Sequence, residues 1–513
     1  MFENLLMGFS ISLDFYNILY CLTGVLLGQI IGVLPGLGPT ATIAMLLVLT
    51  YKLDLTSAII MLSGIYYGAQ YGGTITSVLL KIPGEASAVV TCIDGYVMAL
   101  QGRAGKALGI AAFGSFIAGT FGTIGLSLLA PPLSRVALMF GPAEYTALMV
   151  LGLTLVIYLG SGSNIKAILM GGLGLAIGTI GMDPVTAIER FTWSSQSLFE
   201  GINIAIVAMG LFGIGEILYM AESAQARSSR DALKCPTSLR ELLPDQKDWK
   251  MSILPIFRGS LLGFFLGILP GGGAVISSFA SYATEKRISR SPQRFGKGAI
   301  EGVAGPESAN NAAVSGAFIP LMTLGIPANV VMALLIGAFM LHGIVPGPFI
   351  LKEHPDVFWG VITSMYIGNF ILLILNIPAI RLFVKIIEIP YALLSPLIVF
   401  ICSIGAFSIN NNPWDIVIMV IFGILGYLMR KFGYEPAPFM LAYVLGPMLE
   451  KSLRQTLIIS QGSLSIFITR PIAAGLVGGI TLIILWSLLA AFLKSGPVIS
   501  VLNKIKYSTD KGD

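Results

Sequence analysis

The chain has 513 residues, 55% hydrophobic and only 11% charged, with a formal net charge of +5 and a mean hydropathy of +0.86. An ordinary soluble domain carries about 25% charged residues, so these values exclude a soluble protein and point to a polytopic one in a lipid bilayer. The charge excess is small and sorted along the chain, which gives no basis for a nucleic-acid partner.

The opening residues, MFENLLMGFSISLD, contain no Lys or Arg and so lack the n-region of a signal peptide. Apolar runs long enough to span a bilayer, roughly 20 residues each, then recur from end to end. The first, residues 15–34, ends in GVLPGLGPT, and a shorter apolar piece follows to Tyr51. A run from Leu55 passes through GIYYGAQYGGTITSVLLKIPGE, and spans are expected near 106–130, 143–159, 164–181 and 202–221. A polar segment, 222–250, precedes a second set that opens with 253–269 and ends its first run in GILPGGGAV. The stretch 295–349 comes next, cut by Pro306, Pro320, Pro327 and Pro346. Spans near 357–380, 391–409, 414–429, 437–449 and 472–493 complete the chain. The expected fold is all-α and polytopic, with about 11–14 membrane segments including re-entrant hairpins.

The two sets repeat each other. Gly32-Val-Leu-Pro-Gly-Leu-Gly38 matches Gly267-Ile-Leu-Pro-Gly-Gly-Gly273 at an offset of 235, and Ile82-Pro83-Gly84 matches Ile326-Pro327-Ala328 at 244. The difference of nine residues fits a loop insertion around Thr284–Gly305. Chance recurrence of Pro-Gly pairs is the alternative, but two matches in the same order favour duplication. The expected division is a first repeat over 1–221, a cytoplasmic linker over 222–252, and a second repeat over 253–513. The last carries an extra C-terminal span and a short cytoplasmic tail.

Positive residues set the orientation. Arg227, Arg230, Lys234, Arg240, Lys247, Lys250 and Arg258 mark the linker as cytoplasmic, as Lys494, Lys504, Lys506 and Lys511 mark the tail. The N-terminus is then outside and the C-terminus inside. The helices leading to Pro35 and Pro270 enter from opposite sides, so the halves are read as inverted copies, an arrangement of secondary transporters with a midplane site.

Three motifs carry chemistry. In Leu-Pro-Gly-x-Gly, Pro35 and Pro270 stop a helix and Gly36, Gly38, Gly271 and Gly273 permit a sharp turn. The helix that follows offers free N–H groups and a positive dipole end to an anion, with Thr40, Thr42, Ser277 and Ser278 as added hydroxyls. A plain helix–helix turn is the alternative for either copy. In Gly305-Pro-Glu-Ser-Ala-Asn-Asn311, Asn310 and Asn311 offer amide donors and acceptors, Ser308 is placed like an N-cap, and Glu307 suits a coupling proton or cation, or pairing with Lys297. Pro306 is read there as a structural break, with a solvated, capped loop as the alternative. In Ile-Pro-Gly/Ala, Pro83 and Pro327 free upstream carbonyls that suit a small cation such as Na⁺, or simply kink the chain. Glu85 and Asp94 follow the first copy and either titrate or sit in an interfacial loop.

No G-x-x-x-x-G-K-[ST] and no H-E-x-x-H occurs, and Cys21, Cys92, Cys235 and Cys402 show no metal or disulfide spacing. No nucleophile–base constellation suggests an enzyme, and no cofactor is expected beyond a coupling ion, Na⁺ or H⁺. The readings left are an ion-coupled carrier of a carboxylate-bearing solute, by alternating access, and a channel or scaffold subunit.

Four long segments in order carry a family resemblance: GQIIGVLPGLGPTATIAMLL, YYGAQYGGTITSVLLKIPGE, GILPGGGAVISSFASYATEK and GVAGPESANNAAVSGAFIPLMTLGIPANVVMALLIGAFMLHGIVPGP. Together they resemble the large membrane subunit of the tripartite tricarboxylate transporters; beyond about Arg381 only hydropathy matches. The resemblance implies a permease of the bacterial inner membrane that imports organic acids on an ion gradient. Its partners would be a small membrane subunit and a periplasmic solute-binding protein. The matching motif positions are Pro35, Gly36, Gly38, Pro270, Gly271, Gly273, Pro306, Glu307, Asn310, Asn311 and Pro327. Ala328 departs from the family pattern, which usually has Gly, and its methyl is expected to tighten that turn.

Overall fold

Short polar acceptors start many of the helices seen in the computed structural model, which describes residues 2–34, 38–159, 163–183, 186–223, 239–271, 273–387 and 391–494. The chain begins with α1 (Phe2–Ser12), α2 (Phe15–Val33), α3 (Pro39–Leu47), α4 (Leu55–Leu80), α5 (Thr91–Leu100), α6 (Ala104–Ala137), α7 (Pro142–Leu159) and α8 (Asn164–Ile177). A ribbon of β1 (Gly181–Met182) antiparallel to β2 (Glu189–Arg190) leads to α9 (Ile204–Ala208), a π-helical stretch over Met209–Ile214, and α10 (Gly215–Ser223). The second set holds α11 (Leu239–Leu242), α12 (Gln246–Ile268), α13 (Gly273–Ile288), α14 (Glu301–Leu324), α15 (Val330–Leu341) and α16 (Ile350–Glu353). It closes with α17 (Pro355–Ile387), α18 (Tyr391–Asn410), α19 (Pro413–Lys431), α20 (Pro436–Ile459), α21 (Ile466–Thr469) and α22 (Pro471–Lys494). The polar linker over 224–238 and the basic tail over 495–513 lie outside the described residues.

Asp14 and Asp54 cap α2 and α4, accepting the N–H groups of Tyr16 and Thr56 at 3.0 Å. Asp245 and Asp248 form a reciprocal capping box at α12. Such caps contribute about 1 kcal/mol each by satisfying N–H groups that have no helical partner. They place the entry of each hairpin.

The all-α membrane architecture is as expected. Among the described residues seven helices are long and apolar enough to cross a bilayer: Phe15–Val33, Ala104–Ala137, Ile204–Glu222, Gln246–Ile268, Pro355–Asn376, Leu393–Asn410 and Pro413–Lys431. Helices α4 and α14 are of another kind. Every residue of α4 is buried, and in α14 only the terminal Glu301 and Leu324 are not. These two helices carry Ser, Thr, Gln, Asn and Glu among their apolar residues because protein rather than lipid surrounds them.

The duplication is visible in how these inner helices are packed. Gly24, Gly28 and Gly32 of α2 lie on Met61, Ile65 and Ala69 of α4; Gly259, Gly263 and Gly267 of α12 lie on Gly305, Ala309 and Ala313 of α14. The first triplets differ by 235 and the second by 244, the offsets of the two sequence motifs. A Cβ at any of the six glycines would stand between 2.6 and 3.3 Å from its partner's Cα. Only glycine allows this approach, which in lipid takes the place of a hydrophobic driving force. Each inner helix also ends on a left-handed residue, Lys81 (φ 58°) and Gly325 (φ 69°), again 244 apart. The nine-residue difference falls between the hairpin tips and the inner helices, where α13 and its following loop are the longer.

The halves interlock: α6 packs against α14 and α17 against α4. Tyr71 on α4 donates to Asn369 on α17 at 2.7 Å, and Ser315 on α14 donates to the Gly119 carbonyl on α6 at 3.5 Å.

One expected break is absent. Pro306 and Pro320 sit inside α14, which is continuous. Each follows a glycine by four residues, Gly302 and Gly316, whose carbonyl the proline leaves unpaired in the helix. The helix tolerates both because its neighbours hold it on every side, and Ser278 donates to the Pro306 carbonyl at 3.3 Å. The chain breaks instead at Gly325–Pro327.

Candidate functional site

The site follows from the polar residues that α4 and α14 keep at depth. Glu307 is buried, and its carboxylate accepts the hydroxyls of Thr74, at 2.8 Å, and Thr91. It is therefore tied to α4 and to the start of α5, and not to Lys297. Ser308 lies mid-helix and donates to the Ala304 carbonyl at 2.7 Å; it is not an N-cap. Asn311 donates to the Ser115 hydroxyl on α6 at 2.7 Å and to the Glu307 carbonyl at 3.0 Å. Asn310, fully buried beside it, has no hydrogen-bond partner on either amide atom among the described residues. Adjacent residues of one helix point about 100° apart, so the asparagine pair divides. Asn311 is bonded to protein, and the Asn310 amide is not, among the described residues.

The hairpin tips come next. Pro35 and Gly36 lie outside the described residues. Gly38 begins α3, with Thr40 in the first turn and half-buried, and the Thr42 hydroxyl bonded back to the Gly38 carbonyl at 3.3 Å. At the second tip Pro270 and Gly271 turn between α12 and α13, as expected of a break, with Gly271 at φ 78°. The Gly271 N–H donates to the Ala328 carbonyl at 2.9 Å, which ties this tip to the Ile326-Pro327-Ala328 break. Gly273 opens α13 with free space where a Cβ would stand. Ser277 bonds back to the Gly273 carbonyl at 2.7 Å, and the Ser278 hydroxyl reaches both the Ala274 carbonyl, at 3.0 Å, and the Pro306 carbonyl on α14.

The two Ile-Pro breaks differ in one informative way. A Cβ on Gly84 would collide with the Gly32 carbonyl and stand 2.7 Å from the Gly73 Cα, so glycine is required there. Ala328 is fully buried, and its methyl is accommodated. Directly after the breaks come Glu85 and Asn329. Asn329 caps α15 through Met332 N–H and donates to the Tyr66 hydroxyl on α4, both at 3.0 Å. Oε1 of Glu85 is buried and has no partner among the described residues; a Cβ on Gly38 would lie 2.7 Å from it.

The sequence reading passed over Asn329, Tyr66, Thr74, Thr91 and Ser115. Asn329 was detectable, since it takes the place of Glu85 in the aligned breaks. The threonines were not, because their partner lies more than 200 residues away.

Asp94 lies on α5 and not in an interfacial loop. It is fully buried and accepts the N–H groups of Gly296, Gly298 and Ala299, at 2.9, 2.8 and 2.8 Å, with the Tyr282 hydroxyl at 2.9 Å. It anchors the loop that enters α14. Asp94→Ala leaves three N–H groups without their acceptor, each a loss of about 1–3 kcal/mol. The expected result is a large fall in membrane abundance and in the thermal midpoint in detergent, with Asp94→Asn between wild type and alanine.

Among the described residues no group of three or more His, Cys, Asp or Glu side chains is placed to hold a metal ion. What these residues offer is one amide on α14 and one carboxylate oxygen after the first break without partners among the described residues, and a second hairpin tip bonded to the second break.

Comparison with known proteins bears on this arrangement. A sequence model of the tripartite tricarboxylate transporter TctA family matches residues 18–441. A 52.8 kDa protein of Agrobacterium vitis, described as uncharacterized and located in the TAR-I ttuC' 3' region, is 53% identical over 474 residues, 92% of this chain and 93% of that protein. A second A. vitis protein, from the TAR-II ttuC' 3' region, is 58% identical over 224 residues, 44% of this chain and 93% of its own length. No solved structure matches the chain.

Proposed function

Because the chain belongs to the tripartite tricarboxylate transporter TctA family, and so is the multi-pass membrane subunit of a transporter, we propose that it is an ion-coupled permease importing a carboxylate-bearing solute by alternating access. A periplasmic solute-binding protein delivers the solute, and a small membrane subunit completes the complex. The membrane is the bacterial inner membrane, with the N-terminus outside and the C-terminus cytoplasmic. The halves, 1–221 and 253–513, then act as inverted repeats around the site, joined by a cytoplasmic linker over 222–252.

The observation that carries this reading is Asn310. A buried amide without hydrogen bonds costs about 1–3 kcal/mol, and α14 keeps one where inner helices of both halves meet. A solute carboxylate takes the amide N–H there. Gly38 and Thr40 after one tip, and Gly271 and Gly273 at the other, present helix N-termini to its charge. Ser277, Ser308 and Asn311 hold the backbone that lines the site. Glu307, with the carbonyls freed at Pro83 and Pro327, provides positions for the coupling ion.

The test is uptake of labelled di- and tricarboxylates into proteoliposomes containing the chain, its small subunit and its binding protein, with Na⁺ and pH gradients set independently. Saturable accumulation of one acid under one gradient is expected. Flux that only equilibrates the acid, without accumulation, would make the chain a channel.

A further inference from the structure

Glu85 and Asn310 share a property. Oε1 of the first, and both amide atoms of the second, are buried and have no hydrogen-bond partner among the described residues. None of the ion pairs among those residues involves Glu85. A buried carboxylate without a counter-charge is strongly disfavoured, so Glu85 calls for a positive partner or a proton.

The repeat relates the two residues. The offset of 244 carries Tyr66 onto Asn310 and Glu85 onto Asn329. Exchanging the halves therefore converts the pair Asn329–Tyr66 into the pair Glu85–Asn310. The first pair is closed by a hydrogen bond of 3.0 Å. By the repeat the second pair corresponds to it, and there Oε1 of Glu85 and both amide atoms of Asn310 lack a hydrogen-bond partner among the described residues.

A buried carboxylate oxygen and a buried amide oxygen are hard donors with one negative charge between them. That charge matches a monovalent cation. We infer that Glu85 and Asn310 bind a monovalent metal cation between the start of α3 and α14. The pair adds a second carboxylate to the positions proposed for the coupling ion, and it differs from Glu307, whose oxygens are already engaged by Thr74 and Thr91. An ion held there also neutralises the Glu85 carboxylate, so a solute carboxylate can enter beside it.

Only the transport role of this ion rests on the permease reading. Its binding is tested without solute, partners or gradient. The full chain, purified in detergent, is unfolded thermally in choline chloride with NaCl, LiCl or KCl replacing choline at constant ionic strength. A saturable upward shift with one of these ions is expected. Glu85→Gln and Asn310→Leu should abolish it, and Glu353→Gln, at an exposed position, should keep it. Glu85→Asp, which retains the charge but is shorter, should raise the half-saturating concentration about tenfold or more, the cost of one lost ligand contact. This variant decides the matter if Glu85→Gln does not fold. No ion-specific shift in the wild type would overturn the inference, as would a shift that survives in Glu85→Gln or is unchanged in Glu85→Asp. A midpoint that follows pH but no alkali ion would overturn it in favour of a proton. Failed uptake with intact ion binding would count against the permease reading alone.

Discussion

Leucine in place of Gly263 should prevent α12 from seating on α14, with little or no folded protein reaching the membrane. A Cβ at this position stands 2.6 Å from both the Cα and the carbonyl carbon of Ala309, and these are backbone atoms that cannot rotate away. Overpacking a core that can relax costs about 1–3 kcal/mol; here relaxation means moving a helix buried on every side, so the loss exceeds that range. Gly28→Leu, the same position in the first half, meets Ile65 Cα at 2.8 Å and should fail alike. Gly475→Leu on α22, where nothing lies within 4 Å of a Cβ, should be neutral. Size-exclusion profiles and membrane abundance of the three variants check this. Equal behaviour at Gly28 and Gly263 would also show the duplication in energetic terms.

The adjacent asparagines should separate cleanly. Asn311→Leu removes the donor held by Ser115 and by the Glu307 carbonyl, a loss of about 1–3 kcal/mol that lowers the thermal midpoint by several degrees. Asn310→Leu breaks no bond within the chain, so abundance and midpoint should be kept or slightly improved. If the amide binds a solute carboxylate, its loss removes a charge-assisted hydrogen bond of about 1.5–3 kcal/mol, a weakening of about 10- to 150-fold in half-saturation. Uptake against solute concentration, with abundance measured alongside, distinguishes the two. Unchanged uptake in Asn310→Leu would remove this residue from the site.

Much of this arrangement is legible along the chain because it is periodic or punctuated. Hydropathy gives the membrane spans, and the paired Leu-Pro-Gly and Ile-Pro motifs give both offsets that the glycine contacts later obey. Pro306 shows where local rules fail. A proline within Gly-Pro-Glu-Ser reads as a break, but α14 is buried among other helices along its length and stays continuous through that residue. Ser308 misleads for the same reason, since a serine before an apolar run resembles a cap whether or not a helix starts there. The division between Asn310 and Asn311 depends on Ser115, almost 200 residues earlier, and no local pattern contains it. Glu85 stands out only once the two breaks are aligned and Asn329 is seen in its place.

The central claim is one solute site between two halves, opened in turn to each side of the membrane. Its most direct test is a cysteine at position 310 in a chain whose Cys21, Cys92, Cys235 and Cys402 have been replaced. This chain would be labelled with a membrane-impermeant thiol reagent in right-side-out and in inside-out vesicles. Labelling from both faces is predicted, with the balance shifting when the transported acid and the coupling ion are added together. Reaction from one face only, or rates indifferent to solute and ion in a complex that still transports, would contradict the account.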